Sequence, residues 1–193
     1  MSEPVSKAAG RRRGPRRDAL DNRDRVLTAA IIAVRREGAA VPMATIAADA
    51  GVGVGTVYRH FPSRDALLGA LAHRSAEMVL DSARSAAADD RPPLDAIRAF
   101  LYQTIRHGRE LVLPMHSGQP LTDPATKALM AEVHRILDSL ISQGRDDGTI
   151  RAEISKADVV LFGALLAQQL PQVRNWTQGA RRLADIFIAG LRP

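Results

Sequence analysis

The chain contains no cysteine, which excludes disulfides, thiolate nucleophiles, zinc fingers and cysteine-ligated iron–sulfur clusters together. It also lacks a long apolar run. The longest, Val159 to Ala167, falls far short of the roughly 20 residues a membrane helix needs, so neither a transmembrane protein nor a membrane partner is expected. No segment sustains strict apolar–polar alternation, the mark of half-buried strands. No His-Glu-x-x-His motif occurs, and none of the five histidines (60, 73, 107, 116, 134) stands at a recognised ligand spacing from an acid, so no metal is expected. No Gly-x-Ser-x-Gly elbow is present, and the chain is not expected to be an enzyme or to carry a cofactor. What remains is 193 residues, 46% hydrophobic and 25% charged. That composition suits a folded protein with one full-sized domain, or a small module joined to a larger one.

Charge is unevenly spread. The formal net charge is +6. Residues 1–75 hold 13 cations against 7 acids, which accounts for all of it, while residues 76–193 hold 14 of each. Such asymmetry points to an N-terminal part that meets a polyanion and a remainder with another task. The densest cluster, Arg11-Arg12-Arg13-Gly14-Pro15-Arg16-Arg17, has no apolar periodicity, so residues 1–19 are expected to be a disordered basic arm. The arm either contacts phosphates or a minor groove, or serves as a solubilising tail. A twin-arginine export signal needs an apolar run next. Asp18-Ala19-Leu20-Asp21 follows instead, so a cytoplasmic location is expected.

Apolar residues at i, i+4 and i+8 recur along the chain and predict an all-α fold of about nine helices. Val26, Ala30 and Val34 mark a helix from about Leu20 to Glu37, ended by Gly38. Short helices follow at Met43–Ala50 and Val54–His60, and Ser63 caps a fourth. After Arg91-Pro92-Pro93, helices are predicted from Leu94 to about Leu113, Thr126 to Gly144, Lys156 to Leu170 and Gly179 to Leu191, with one further short turn in the Pro114–Pro124 loop.

Residues 43–62 carry the most information. Two short helices that meet at a glycine must cross steeply and closely. This requires a small residue at the contact (Ala47), a glycine at the bend (Gly51) and apolar anchors (Ile46, Val52, Val57). That spacing fits a helix-turn-helix, whose second helix enters the major groove. Its exposed positions are Val54, Gly55, Thr56, Tyr58, Arg59 and His60; the small residues allow close approach, and the last three donate to phosphates or base edges. Gly51-Val-Gly-Val-Gly-Thr56 superficially matches a phosphate-binding loop, but a helix rather than a strand precedes it and no lysine follows.

Ile46-Ala47-x-x-Ala50-Gly51-Val52-x-x-Gly55-Thr56-Val57-Tyr58-x-His60-Phe61-x-Ser63-x-x-x-Leu67-Leu68 resembles the TetR family of bacterial transcriptional regulators over roughly residues 23–71. The resemblance implies a homodimer that binds double-stranded DNA through residues 20–73. Residues 74–193 would form a ligand-binding and dimerising domain, which releases a palindromic operator when a small molecule binds. Thr45, Val54, Gly55, Thr56, Tyr58, Arg59 and His60 are the expected DNA contacts, with Arg64 at the start of the fourth helix on a phosphate. Gly53 stands where the family commonly has a capping serine, and Met43 where a polar residue is frequent.

For the unidentified effector, the neutral half offers Phe100, Gln103, His107, Met115, His134, Gln168 and Trp176, because ligand sites are mostly apolar with a few polar groups. Val159, Val160, Leu161, Leu165, Leu166, Leu183, Ile186, Phe187 and Leu191 supply apolar faces for a dimer interface or for the core. The sequence does not separate a repressor from an activator. Nor does it separate either from an interaction protein or enzyme that has kept this scaffold without operator specificity.

Overall fold

The computed structural model describes residues 15–88, 90–112, 123–170 and 172–193, with side chains from Leu20 onward. The cluster at residues 11–13, Met115, His116 and the predicted turn before Pro124 lie outside the described residues. All eight elements among the described residues are helices. They are α1 (Pro15–Glu37), α2 (Met43–Ala50), α3 (Val54–His60), α4 (Arg64–Ala87), α5 (Pro93–His107), α6 (Pro124–Asp146), α7 (Lys156–Ala167) and α8 (Trp176–Gly190). None of the described helices is long and apolar enough to cross a membrane.

Two apolar cores form. Val26, Ala30 and Val34 of α1 meet Ile46 and Ala47 of α2, Val57 of α3 and Leu67, Leu68 and Leu71 of α4. The second core joins Leu80 and Ala83 of α4 to α5 (Ile97, Leu101, Ile105), α6 (Val133, Leu137), α7 (Val159, Leu166) and α8 (Ala184, Ile188). Helix α4 therefore belongs to both, its first half to one core and its second half to the other.

The Ser63 cap agrees with the sequence reading, and a second cap at Ser155 adds to it. Ser63 Oγ accepts from the Ala66 amide at 3.1 Å. The Ser155 amide and hydroxyl both donate to Asp158 at 2.8 Å, closing a capping box that holds the Asp158 carboxyl below its ordinary pKa. Boundaries move where packing intervenes. Helix α1 begins at Pro15, a residue pre-set for a first helical turn, so residues 15–19 belong to the helix and not to an extended arm. Helix α5 ends at His107, short of Leu113, because the next residue approaches α7: a Cβ on Gly108 would lie 2.5 Å from the Ala167 carbonyl oxygen. Helix α7 stops at Ala167, where Gln168 turns extended, and α8 starts earlier than predicted behind Asn175 at φ 61°.

The apolar faces of the last two helices divide. Val159, Leu166 and Leu191 are buried within the subunit, whereas Leu161 (62% exposed), Leu165, Leu183 and Ile186 (60%) face outward.

Candidate nucleic-acid interface and ligand cavity

The turn between α2 and α3 is built around Gly51, at φ 63° and ψ 39°, a left-handed conformation that disfavours a side chain. A Cβ there would also sit 2.8 Å from Arg25 Nη2. That guanidinium fastens the turn to α1, donating to the Ala50 carbonyl at 2.6 Å and the Gly51 carbonyl at 3.0 Å. Gly53 precedes α3 with no side-chain cap, as its identity requires; the Thr56 and Val57 amides bond its carbonyl at 2.8 and 3.3 Å.

Helix α3 has seven residues and buries one, Val57. Phe61, just beyond it, is also buried, with the Arg23 guanidinium 5.5 Å from its ring centroid. Held by these two anchors, α3 turns Val54 (41% exposed), Gly55, Tyr58 (49%) and Arg59 to solvent, while Thr56 and His60 are half-buried. Arg59 and Arg64 are exposed and make no ion pair among the described residues, in contrast to Arg36, which is paired with Glu37 and Asp49. Thr45 is half-buried on α2, and Met43 is in the core. A short helix with small residues at its start and unpaired cations at its end can enter a groove and neutralise phosphates.

The second site is a cavity of about 440 Å³ between α4, α5, α6 and α7, lined almost wholly by apolar side chains. Of the predicted ligand residues, Phe100 and His134 line it. Gln103, His107, Gln168 and Trp176 do not. His107 lies at the end of α5, its buried Nδ1 without a hydrogen bond and 3.7 Å from Glu110. Gln168 caps α7. Trp176 donates to the Leu166 carbonyl at 3.2 Å and borders a larger, more open groove of about 880 Å³ shared with Arg109 and Arg181. The sequence reading missed Ser75, Val79, Thr104, Met130 and Lys156, which line the cavity. The available signal was the run of small residues Ala72, Ser75 and Ala76 on one face of α4, too small to fill the space opposite Phe100. Gly163 brings α7 down on α5, where a Cβ would meet Leu101 at 3.3 Å.

Residues 111 and 112 connect the two sites. Val112 lines the cavity and is also buried in the N-terminal core. Its amide donates to Ser75 Oγ at 2.9 Å, and that hydroxyl donates to the Leu71 carbonyl at 2.9 Å. Arg35 of α1 donates to the Leu111 carbonyl at 2.8 Å; burial, and then the Arg109 guanidinium, lower its pKa. No group of three or more His, Asp or Glu side chains among the described residues is arranged to hold a metal.

A profile of bacterial regulatory proteins of the tetR family matches residues 26–71. The TetR transcription regulatory protein from Mycobacterium vanbaalenii is 30% identical, covering 93% of this chain and 100% of its own, with a TM-score of 0.56. A TetR transcriptional regulator from Streptomyces coelicolor is 29% identical over 89% of this chain and 98% of its own, TM-score 0.55. AibR, solved in complex with isovaleryl coenzyme A and operator DNA, is 19% identical over 89% of this chain and 98% of its own, and shares the fold at a TM-score of 0.71. No curated protein sequence matches the chain.

Proposed function

The chain belongs to the TetR family of bacterial regulatory proteins, and from that premise we propose that it is a homodimeric transcriptional regulator that represses from a palindromic operator and lets go when a small molecule fills its cavity. TetR-family regulators are generally non-enzymatic DNA-binding proteins, and we read this chain in the same way. The observation that carries the reading is α3, which buries only Val57 and presents Val54, Gly55, Tyr58 and Arg59 outward. A helix held in place by Val57 and Phe61 while most of its surface stays outside the core is free to present that surface to a partner. In this reading Thr45, Thr56 and His60 border the contact, Tyr58 and Arg59 reach bases or phosphates, and Arg64 meets the backbone.

The dimer is assigned to the outward face of α7 and α8, where Leu161, Leu165, Leu183 and Ile186 would pair isologously about a two-fold axis. Two copies of α3 must then lie about 34–36 Å apart, or a multiple of it, to enter successive major grooves on one side of the duplex. The release step follows from residues 111 and 112. An occupant of the cavity touches Ser75 and Val112, and this segment is hydrogen-bonded to α1 through Arg35 and to α4 through Ser75. Displacing it tilts α1 and α4 together, and α3 moves with them. Only a molecule that binds the two arrangements with different affinity shifts the balance. Like AibR, which its structure holds with operator DNA and isovaleryl coenzyme A, the protein would take DNA and effector at separate sites.

A selection from random-sequence duplexes at near-physiological salt tests the proposal. A palindromic consensus is the expected result. Equal recovery of all sequences would leave a basic protein without an operator and would reject it.

A further inference from the structure

The cavity between α4, α5, α6 and α7 has hydroxyl groups, but their protons are already committed. Ser75 Oγ donates to the Leu71 carbonyl and accepts from the Val112 amide, each at 2.9 Å. Thr104 Oγ1 donates to the Phe100 carbonyl at 3.0 Å. Among the described residues the one cation on the wall, Lys156, is paired with Asp138. His134 differs from these: its half-buried ring lines the cavity and makes no hydrogen bond among the described residues. An ionised group set deep against such walls would lose much of its hydration with no free counter-charge among the described residues to replace it, a heavy penalty. A hydrocarbon gains by entering, and among the described residues His134 is the polar side chain on the wall with both its donor and its acceptor uncommitted, so a single neutral oxygen finds a partner there. The volume, about 440 Å³, lies low in the usual range of ligand sites, roughly 300–1,000 Å³.

From this we infer that the cavity selects a compact, uncharged, mainly hydrocarbon molecule bearing one hydrogen-bonding oxygen, and that His134 receives that oxygen. The inference rests on reading the cavity as the effector site. It is tested on the full chain without DNA, by calorimetric titration at pH 7.5 with three probes that share an eight-carbon tail: 1-octanol, octanoate and octylammonium. Octanol should bind at least about tenfold more tightly than either ion. His134→Phe should weaken octanol binding by about 2–10-fold, the usual worth of one neutral hydrogen bond. His134→Gln, which keeps a donor and an acceptor, should restore much of it. Ala76→Phe, which fills the cavity, should abolish binding with the circular dichroism spectrum unchanged. Should that variant fail to fold, the octanol–octanoate ratio in the unaltered chain decides alone. Octanoate or octylammonium binding as tightly as octanol would overturn the inference, as would no binding by any probe. Octanol that binds without loosening a selected operator supports the cavity's chemistry and counts against the effector reading instead.

Discussion

Two of the surfaces on which this protein leaves large apolar side chains in water differ in the charge around them, and that charge separates their uses. On α3, Val54 and Tyr58 are exposed beside Arg59 and near Arg64, which make no ion pair among the described residues, in the half of the chain that holds the whole net charge. On α7 and α8, Leu161, Leu165, Leu183 and Ile186 are exposed in the half whose charges cancel. Exposed aliphatic groups alone say only that something is covered. Among unpaired cations they suit a polyanion with apolar groove edges, such as thymine methyls. In the half whose charges cancel they suit a second apolar face. The two cores beneath these surfaces also differ in finish. The N-terminal core closes over Val57 and Phe61, whereas the C-terminal bundle leaves a partly open cavity.

The contrast can be broken most severely at the cores. Ile97→Ala and Ile46→Ala, each at a side chain almost wholly buried, should each cost about 2–5 kcal/mol of stability by urea denaturation. Because α4 spans both cores, each variant should unfold as one transition; two separate transitions would show that the halves are independent. Next in size is the neutral surface. Leu165→Asp with Ile186→Asp should yield monomers in sedimentation and weaken operator binding by about 100-fold or more, since two linked reading helices become one. A dimer that persists would move the interface elsewhere.

Between the surfaces, Arg35→Met removes a charged hydrogen bond to the Leu111 carbonyl. It should cost about 1–3 kcal/mol and leave effector binding intact while blunting its effect on DNA. Unaltered release would cut residues 111 and 112 out of the coupling. On the basic surface, Tyr58→Phe should weaken operator binding by about 2–10-fold through one lost hydrogen bond, with the thermal midpoint unmoved. Intact affinity in a titration would remove Tyr58 from the contact. The smallest effect is sought in the arm. Deleting residues 1–14, which spares α1, should flatten the plot of log affinity against log salt by about 0.9 for each arm cation that meets a phosphate. An unchanged slope would make the arm a passive tail.

Much of the N-terminal unit was readable from residues 43–63 alone. The bounds of α2 and α3, the glycine bend at Gly51, the Ser63 cap and the burial of Ala47 and Val57 all emerged as the spacing predicts. Each depends on neighbours within a few positions, where helix period, glycine freedom and cap chemistry operate directly. The ends of α5 and α7 were misplaced because apolar periodicity continues past them. What stops those helices is the approach of Gly108 to Ala167, a contact between residues far apart in sequence.

The sequence by itself determined an all-α fold with a helix-turn-helix pattern and the net positive charge at one end and a neutral bundle at the other. Pattern and charge are summed along the chain and need no knowledge of who meets whom. Only the tertiary structure decided that Phe100 and His134 share a cavity with Ser75 and Lys156 while Trp176 and His107 do not. It alone decided which leucines of the last two helices face outward, and that Val112 belongs to both halves. A cavity is space left where side chains on four separate helices are jointly too small, and no single helix carries that information.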